Sequence, residues 1–148
     1  MIRKLLIGSN YSSRGGDAIK YIVVHDTGNP RAGADAINHY RYFNVPGRNV
    51  SCHYVVDGLG IIQLVEDRHS AWHCGDGKGR FGIKNSNSIG IEMCINEDGN
   101  RDLAKKYVIE LIRYLLVVHD LKKESIVRHF DASLKLCPKS MMEMGWRE

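Results

Sequence analysis

The chain has 148 residues, 43% of them hydrophobic and 26% charged, with a formal net charge of +4. That length is one domain's worth, enough to bury a core without disulfide or metal staples. The composition is that of a soluble globular protein, and no run approaches the roughly 18 to 20 apolar residues a membrane span needs.

The basic residues are scattered, densest at Lys105-Lys106 and Lys122-Lys123, and no nucleic-acid-binding signature is present. Neither a nucleic acid nor a membrane is an expected partner; an anionic polymer is compatible with the charge, and a monomer is expected. At the N-terminus the basic start Met1-Ile2-Arg3-Lys4 is followed by too short an apolar stretch for a secretory h-region. Cys52, Cys74, Cys94 and Cys137 lack the spacing of a disulfide framework. Three read as buried or site-lining thiols and Cys137 as a ligand, with an oxidised pair as the alternative.

In chain order, the apolar run ending at His25 predicts a strand at about 20 to 25. A helix follows at about 33 to 43, with Ile37, Tyr40 and Phe43 on its apolar side. A hairpin pairs Cys52 to Val56 with Ile61 to Val65 across Asp57-Gly58-Leu59-Gly60. A glycine-rich loop from Gly75 to Asn87 leads to a strand over Ser88 to Ile95. Leu103, Tyr107, Val108, Leu111, Ile112 and Leu115 recur at helical spacing, predicting a helix over about 102 to 119 with Asp102 as N-cap. An extended segment at 126 to 128 precedes His129. The fold class is therefore α/β, a central mixed β-sheet flanked by helices, with ligands expected at the carboxyl ends of strands.

His25, His129 and Cys137 together offer two imidazoles and a thiolate, a donor set that zinc accepts while leaving a fourth position for water. Singly, each histidine also reads as a hydrogen-bonding group and Cys137 as a buried thiol. If the segment around Lys135-Leu136-Cys137 is extended, Lys135 projects beside Cys137 and can offer its ammonium to an oxygen near the metal. Otherwise it is a solvated cation. Asp131, two residues from His129, reads either as an acceptor orienting that imidazole or as a surface turn residue. In Ser88 to Ile95, alternation puts Ile89, Ile91, Met93 and Ile95 on one face and Gly90, Glu92 and Cys94 on the other. Glu92 is then either solvated or a carboxylate kept beside a metal as general base.

Five blocks carry a resemblance over about residues 20 to 140: Val23-Val24-His25-Asp26-Thr27, Ser51 to Val56, Ala71-Trp72-His73-Cys74-Gly75, Asn87 to Glu92, and His129 to Pro138. In this order they resemble the zinc-dependent N-acetylmuramoyl-L-alanine amidases of the type 2 class. That class shares its fold with peptidoglycan recognition proteins and includes phage endolysin catalytic domains. The resemblance implies one Zn2+ held by His25, His129 and Cys137, Glu92 as base and Lys135 as oxyanion stabiliser. It further implies a substrate groove lined by Thr27, Trp72, His73 and Asn87, while His53 reads as a structural hydrogen-bonder. Some relatives carry a tyrosine near the metal where this chain has Cys52, so the chain resembles the branch that relies on glutamate.

The implied activity is hydrolysis of the bond between N-acetylmuramic acid and L-alanine in peptidoglycan. Two rivals are a peptidoglycan-binding domain without catalysis, whose relatives typically lack the cysteine, and a cysteine hydrolase using Cys52 or Cys74. One catalytic domain over 1–148 without a wall-binding module is expected, either whole or cut from a longer protein. The expected route is synthesis in the cytoplasm and holin-type release to the wall.

Overall fold

The computed structural model describes residues 1–143 together with Gly145 and Trp146. Met144, Arg147 and Glu148, at the expected domain end, lie outside the described residues. In chain order the elements are β1 (Ile2–Lys4), β2 (Tyr11–Ser13), β3 (Tyr21–Asp26), α1 (Ala36–Phe43), β4 (Tyr54–Asp57), β5 (Gly60–Gln63), β6 (His69–Ala71), β7 (Ser88–Met93), α2 (Arg101–Val118), β8 (Ile126–Arg128), α3 (His129–Ser133) and α4 (Lys139–Met142).

Six strands form one mixed sheet in the order β1-β5-β4-β7-β3-β8, in which β4 and β5 are the antiparallel hairpin and the other pairings are parallel. β2 and β6 make a separate antiparallel pair. Period-two alternation divides the strands between two faces. Ile22, Val24, Tyr54, Val56, Ile89, Ile91 and Met93 meet Ala104, Val108, Leu111 and Leu115 of α2 on one face. Cys52, Val55, Ile62, Leu64 and Cys94 meet Ala36 and Phe43 of α1 on the other. The mixed sheet flanked by helices is the architecture the sequence predicts. No helix among the described residues is long and apolar enough to cross a membrane.

Boundaries differ from the sequence reading for local reasons. α2 is capped by Asn100, whose side chain accepts from the Leu103 amide, so Asp102 falls inside the first turn instead of capping it. α1 begins at Ala36 after its N-cap Asp35, because Gly33 takes a φ of +77° that no helix continues. In the hairpin only Gly60 has positive φ. Gly58 is required for space, since a Cβ there would lie 2.9 Å from Asn100 at the start of α2.

Candidate metal centre

His25 lies on β3, in register with Glu92 of the parallel strand β7, so both side chains leave the same face near the carboxyl ends of their strands. β8 runs parallel on the other side of β3 and delivers His129 as the first residue of α3. The rings of His25 and His129 stand 4.7 Å apart, centroid to centroid. The chain then turns back: the Phe130 amide donates to the Cys137 carbonyl at 3.0 Å, and Cys137 Sγ comes 3.7 Å from His25 Nδ1. One donor atom from each of His25, His129 and Cys137 lies within 4.8 Å of the others, and all three residues are buried. Residues 112 positions apart are thus brought together by the strand order and the turn back after α3.

Hydrogen bonding decides which ring atoms are available. His129 Nε2 donates to Asp76 Oδ1 at 2.7 Å, which leaves Nδ1 as the lone-pair atom, buried and without a partner. His25 Nε2 is engaged with His73 Nδ1 at 3.0 Å, so its Nδ1 is the atom that faces Cys137. Two donors on a tetrahedral zinc stand about 3.5 Å apart, close to the 3.7 Å between His25 Nδ1 and Cys137 Sγ. The orphaned Nδ1 of His129 and this spacing fit a metal ion of zinc's preferences.

The electrostatics of the site fit a divalent cation. Burial holds His25 well below the ordinary histidine range, with the charges of His129 and Lys135 adding and Asp76 opposing. Burial pushes the Cys137 thiol up to about 12, and nearby Glu92 adds to this. A divalent cation favours the thiolate and the neutral imidazoles together. Burial likewise raises the Glu92 carboxyl to about 8, with Asp26 adding and Lys135 opposing. Its Oε2 is buried without a partner and its Oε1 is 3.9 Å from His25 Nδ1.

Glu92 and Thr27 line one groove, walled by Asn29, Asn38, His39 and Tyr42 from the β3–α1 connection and α1. Thr27 thus shares a groove with Glu92. Three expectations are corrected. His73 is buried behind His25, not in the groove, bonded to His25 and Ser88. Asn87 is buried and spent on the glycine-rich loop, accepting from the Lys84 amide and donating to the Gly82 carbonyl. Trp72 donates its indole N–H to Ser12 and lines a separate groove with Ser70 and Lys78.

Around His129, Asp131 does not orient the imidazole: it is bound to Arg128 by side chain and backbone. Asp76 takes that role, and sequence reasoning missed it because the contact crosses 53 residues. The segment before Cys137 is not extended either. Leu134 has φ of +66° and the Cys137 amide bonds back to the Lys135 carbonyl at 2.7 Å, a tight three-residue turn. Lys135 is exposed, and its positive charge is felt at His25, Glu92, Asp76 and Cys137. Cys52 and Cys74 are buried thiols pushed up by burial, the latter to about 12, which removes the thiolate a cysteine hydrolase needs. All four cysteines are free.

Two imidazoles, a thiol and a carboxyl with a partnerless oxygen near the carboxyl ends of parallel strands define a candidate mononuclear metal centre opening on a groove. Comparison with known proteins narrows that class. Residues 15–140 match Amidase_2, the N-acetylmuramoyl-L-alanine amidase family. The N-acetylmuramoyl-L-alanine amidase XlyA of Bacillus subtilis (strain 168) is 38% identical over 123 residues, 83% of this chain and 40% of that protein. The amidase CwlH of the same organism is 35% identical over 144 residues, 96% of this chain and 57% of that protein. The catalytic domain of XlyA superposes with a TM-score of 0.89 at 35% identity, covering 99% of this chain and 95% of that domain. The chain belongs to the N-acetylmuramoyl-L-alanine amidase family Amidase_2. It spans 40% and 57% of the lengths of these two curated relatives.

Proposed function

We propose that this chain hydrolyses the amide between the lactyl carbonyl of N-acetylmuramic acid and the α-nitrogen of L-alanine in peptidoglycan, with one zinc ion held by His25, His129 and Cys137. The observation that carries this reading is the buried, partnerless Nδ1 of His129 beside His25 Nδ1, Cys137 Sγ and a Glu92 carboxyl whose buried Oε2 has no partner. Three protein donors leave zinc an open position, as in catalytic sites, where structural zinc takes four. Bound there, zinc supplies Lewis acidity to the scissile carbonyl and acidifies water.

The remaining work falls to this chain's side chains. Glu92, which lines the groove, takes a proton from the attacking water at its carboxylate. It returns that proton to the alanine nitrogen as the carbon–nitrogen bond breaks. Water oxygen ends on the lactyl carbon, so the products are a muramic carboxylic acid and a free L-alanine amine. The Lys135 ammonium faces the negative charge that grows on the carbonyl oxygen, a contribution worth about 10²–10³ in rate for one donor in other systems. Thr27, Asn29 and Asn38 offer uncharged hydrogen-bonding groups to the substrate along the groove.

Digestion of purified peptidoglycan tests the reading, with products identified by mass spectrometry. Peptides with a new L-alanine N-terminus, abolished by chelator and restored by zinc, are expected. Binding to the wall with no new amine would overturn the assignment in favour of a recognition domain.

A further inference from the structure

A line of hydrogen bonds behind the metal centre has only one consistent direction, and from it we infer that His73 is a positioning residue that holds His25 protonated on Nε2 with Nδ1 free. The inference rests on the zinc reading above and adds to it the device that prepares one ligand. Ser88 Oγ is 2.6 Å from the Lys84 carbonyl, which can only accept, so the hydroxyl proton is committed there. Towards His73 Nε2, at 3.2 Å, Ser88 Oγ must then be the acceptor. His73 therefore carries its proton on Nε2 and a lone pair on Nδ1. That lone pair lies 3.0 Å from His25 Nε2, which must donate. The lone pair of His25 falls on Nδ1, the atom facing Cys137 Sγ and Glu92. In the opposite sense His73 Nε2 would have to accept from a serine whose single proton is already used.

The surrounding structure holds the ring in this role. The backbone amides of His73 and Cys74 both donate to Asn85 Oδ1, at 3.0 and 2.8 Å. The ring packs directly on Gly90 of β7, where a Cβ would come 2.5 Å from His73 Cγ. His73 is only 7% exposed, so it acts on the centre through His25 and does not touch substrate. Partners of this kind orient a ligand imidazole, and their loss costs metal affinity about 10- to 100-fold.

The test compares wild type with His73→Leu, Ser88→Ala and His73→Gln, measuring zinc affinity by competition with a chromophoric chelator. Nitrogen-15 NMR of the imidazoles in metal-free protein reports the tautomer. The expected result is His25 protonated on Nε2 in wild type and zinc affinity about 10- to 100-fold weaker in His73→Leu. Ser88→Ala should give a smaller loss and a mixture of His25 tautomers. His73→Gln should recover part of the affinity, because its amide oxygen can accept from His25 and its amide nitrogen donate to Ser88. A wild-type His25 protonated on Nδ1, or a folded His73→Leu within twofold of wild type, would overturn the inference. Should His73→Leu not fold, the wild-type tautomer and Ser88→Ala decide. Wild-type protein that binds no zinc would instead overturn the metal reading itself.

Discussion

Glu92 combines a buried, partnerless Oε2 with a place 3.9 Å from the His25 imidazole, a costly arrangement for a residue serving stability alone. Glu92→Gln keeps the volume and removes the proposed base. Peptidoglycan hydrolysis should fall by about 10²–10⁴, while zinc affinity by chelator competition changes little. Asp76 is the second informative residue, because its carboxylate fixes the proton of His129 on Nε2. Asp76→Ala should weaken zinc about 10- to 100-fold with the fold intact by circular dichroism, whereas unchanged affinity would show the contact to be incidental. The residues that converge on the centre were legible in the sequence as types with ligand chemistry. Asp76 and His73 were not legible as its supports. Their roles depend on contacts across 53 and 48 residues, and a histidine in a loop reads equally well as a groove residue.

Among the elements, β3, β7, α1, α2 and the β4–β5 hairpin announce themselves by periodicity, because each buries a continuous face. β1, β2 and β6 are three-residue strands with polar or mixed sequence, and nothing in so short a stretch carries a period. The turn at Lys135 to Cys137 is not legible in the sequence because Leu134, in left-handed conformation, is not a residue type that advertises it. The glycine-rich loop and α3 are coupled at Gly77, where a Cβ would lie 2.1 Å from the Ala132 carbonyl oxygen. Gly77→Ala should destabilise the protein by about 1–3 kcal/mol in denaturant unfolding. It should also weaken zinc binding, since α3 carries His129; a stability within error of wild type would contradict this packing. Asn100→Ala, which removes the cap of α2, should cost about 1 kcal/mol without altering zinc affinity.

For the molecule as a whole, burial of histidine sets a pH dependence of folding. His53, fully buried between sheet and β6, accepts from the Gly90 amide and donates to the His69 carbonyl. Burial lowers it from 6.5 to about 4, with Arg14 adding to the effect and the His69 hydrogen bond opposing it. Between those values the unfolded chain binds a proton that the folded chain excludes. Stability therefore rises with pH through this window, is complete above about 6.5, and is lost as acid is added, by about 3 kcal/mol at full extent. Denaturant midpoints measured from pH 7 to pH 4.5 should fall, and the fall should be shallower by one proton's worth in His53→Gln. Equal slopes in the two proteins would contradict it.

The sheet's strand order makes the centre: β7, β3 and β8 run parallel and end together, so Glu92, His25 and His129 meet although their sequence blocks are far apart. In the proposed site two imidazoles and one thiolate hold a single zinc with a position left open. X-ray absorption at the zinc edge of the loaded protein tests it most directly. The prediction is one sulfur at about 2.3 Å and three nitrogen or oxygen neighbours at about 2.0 Å, with the sulfur lost in Cys137→Ser. A zinc without sulfur, or one with two sulfurs, would contradict the assignment.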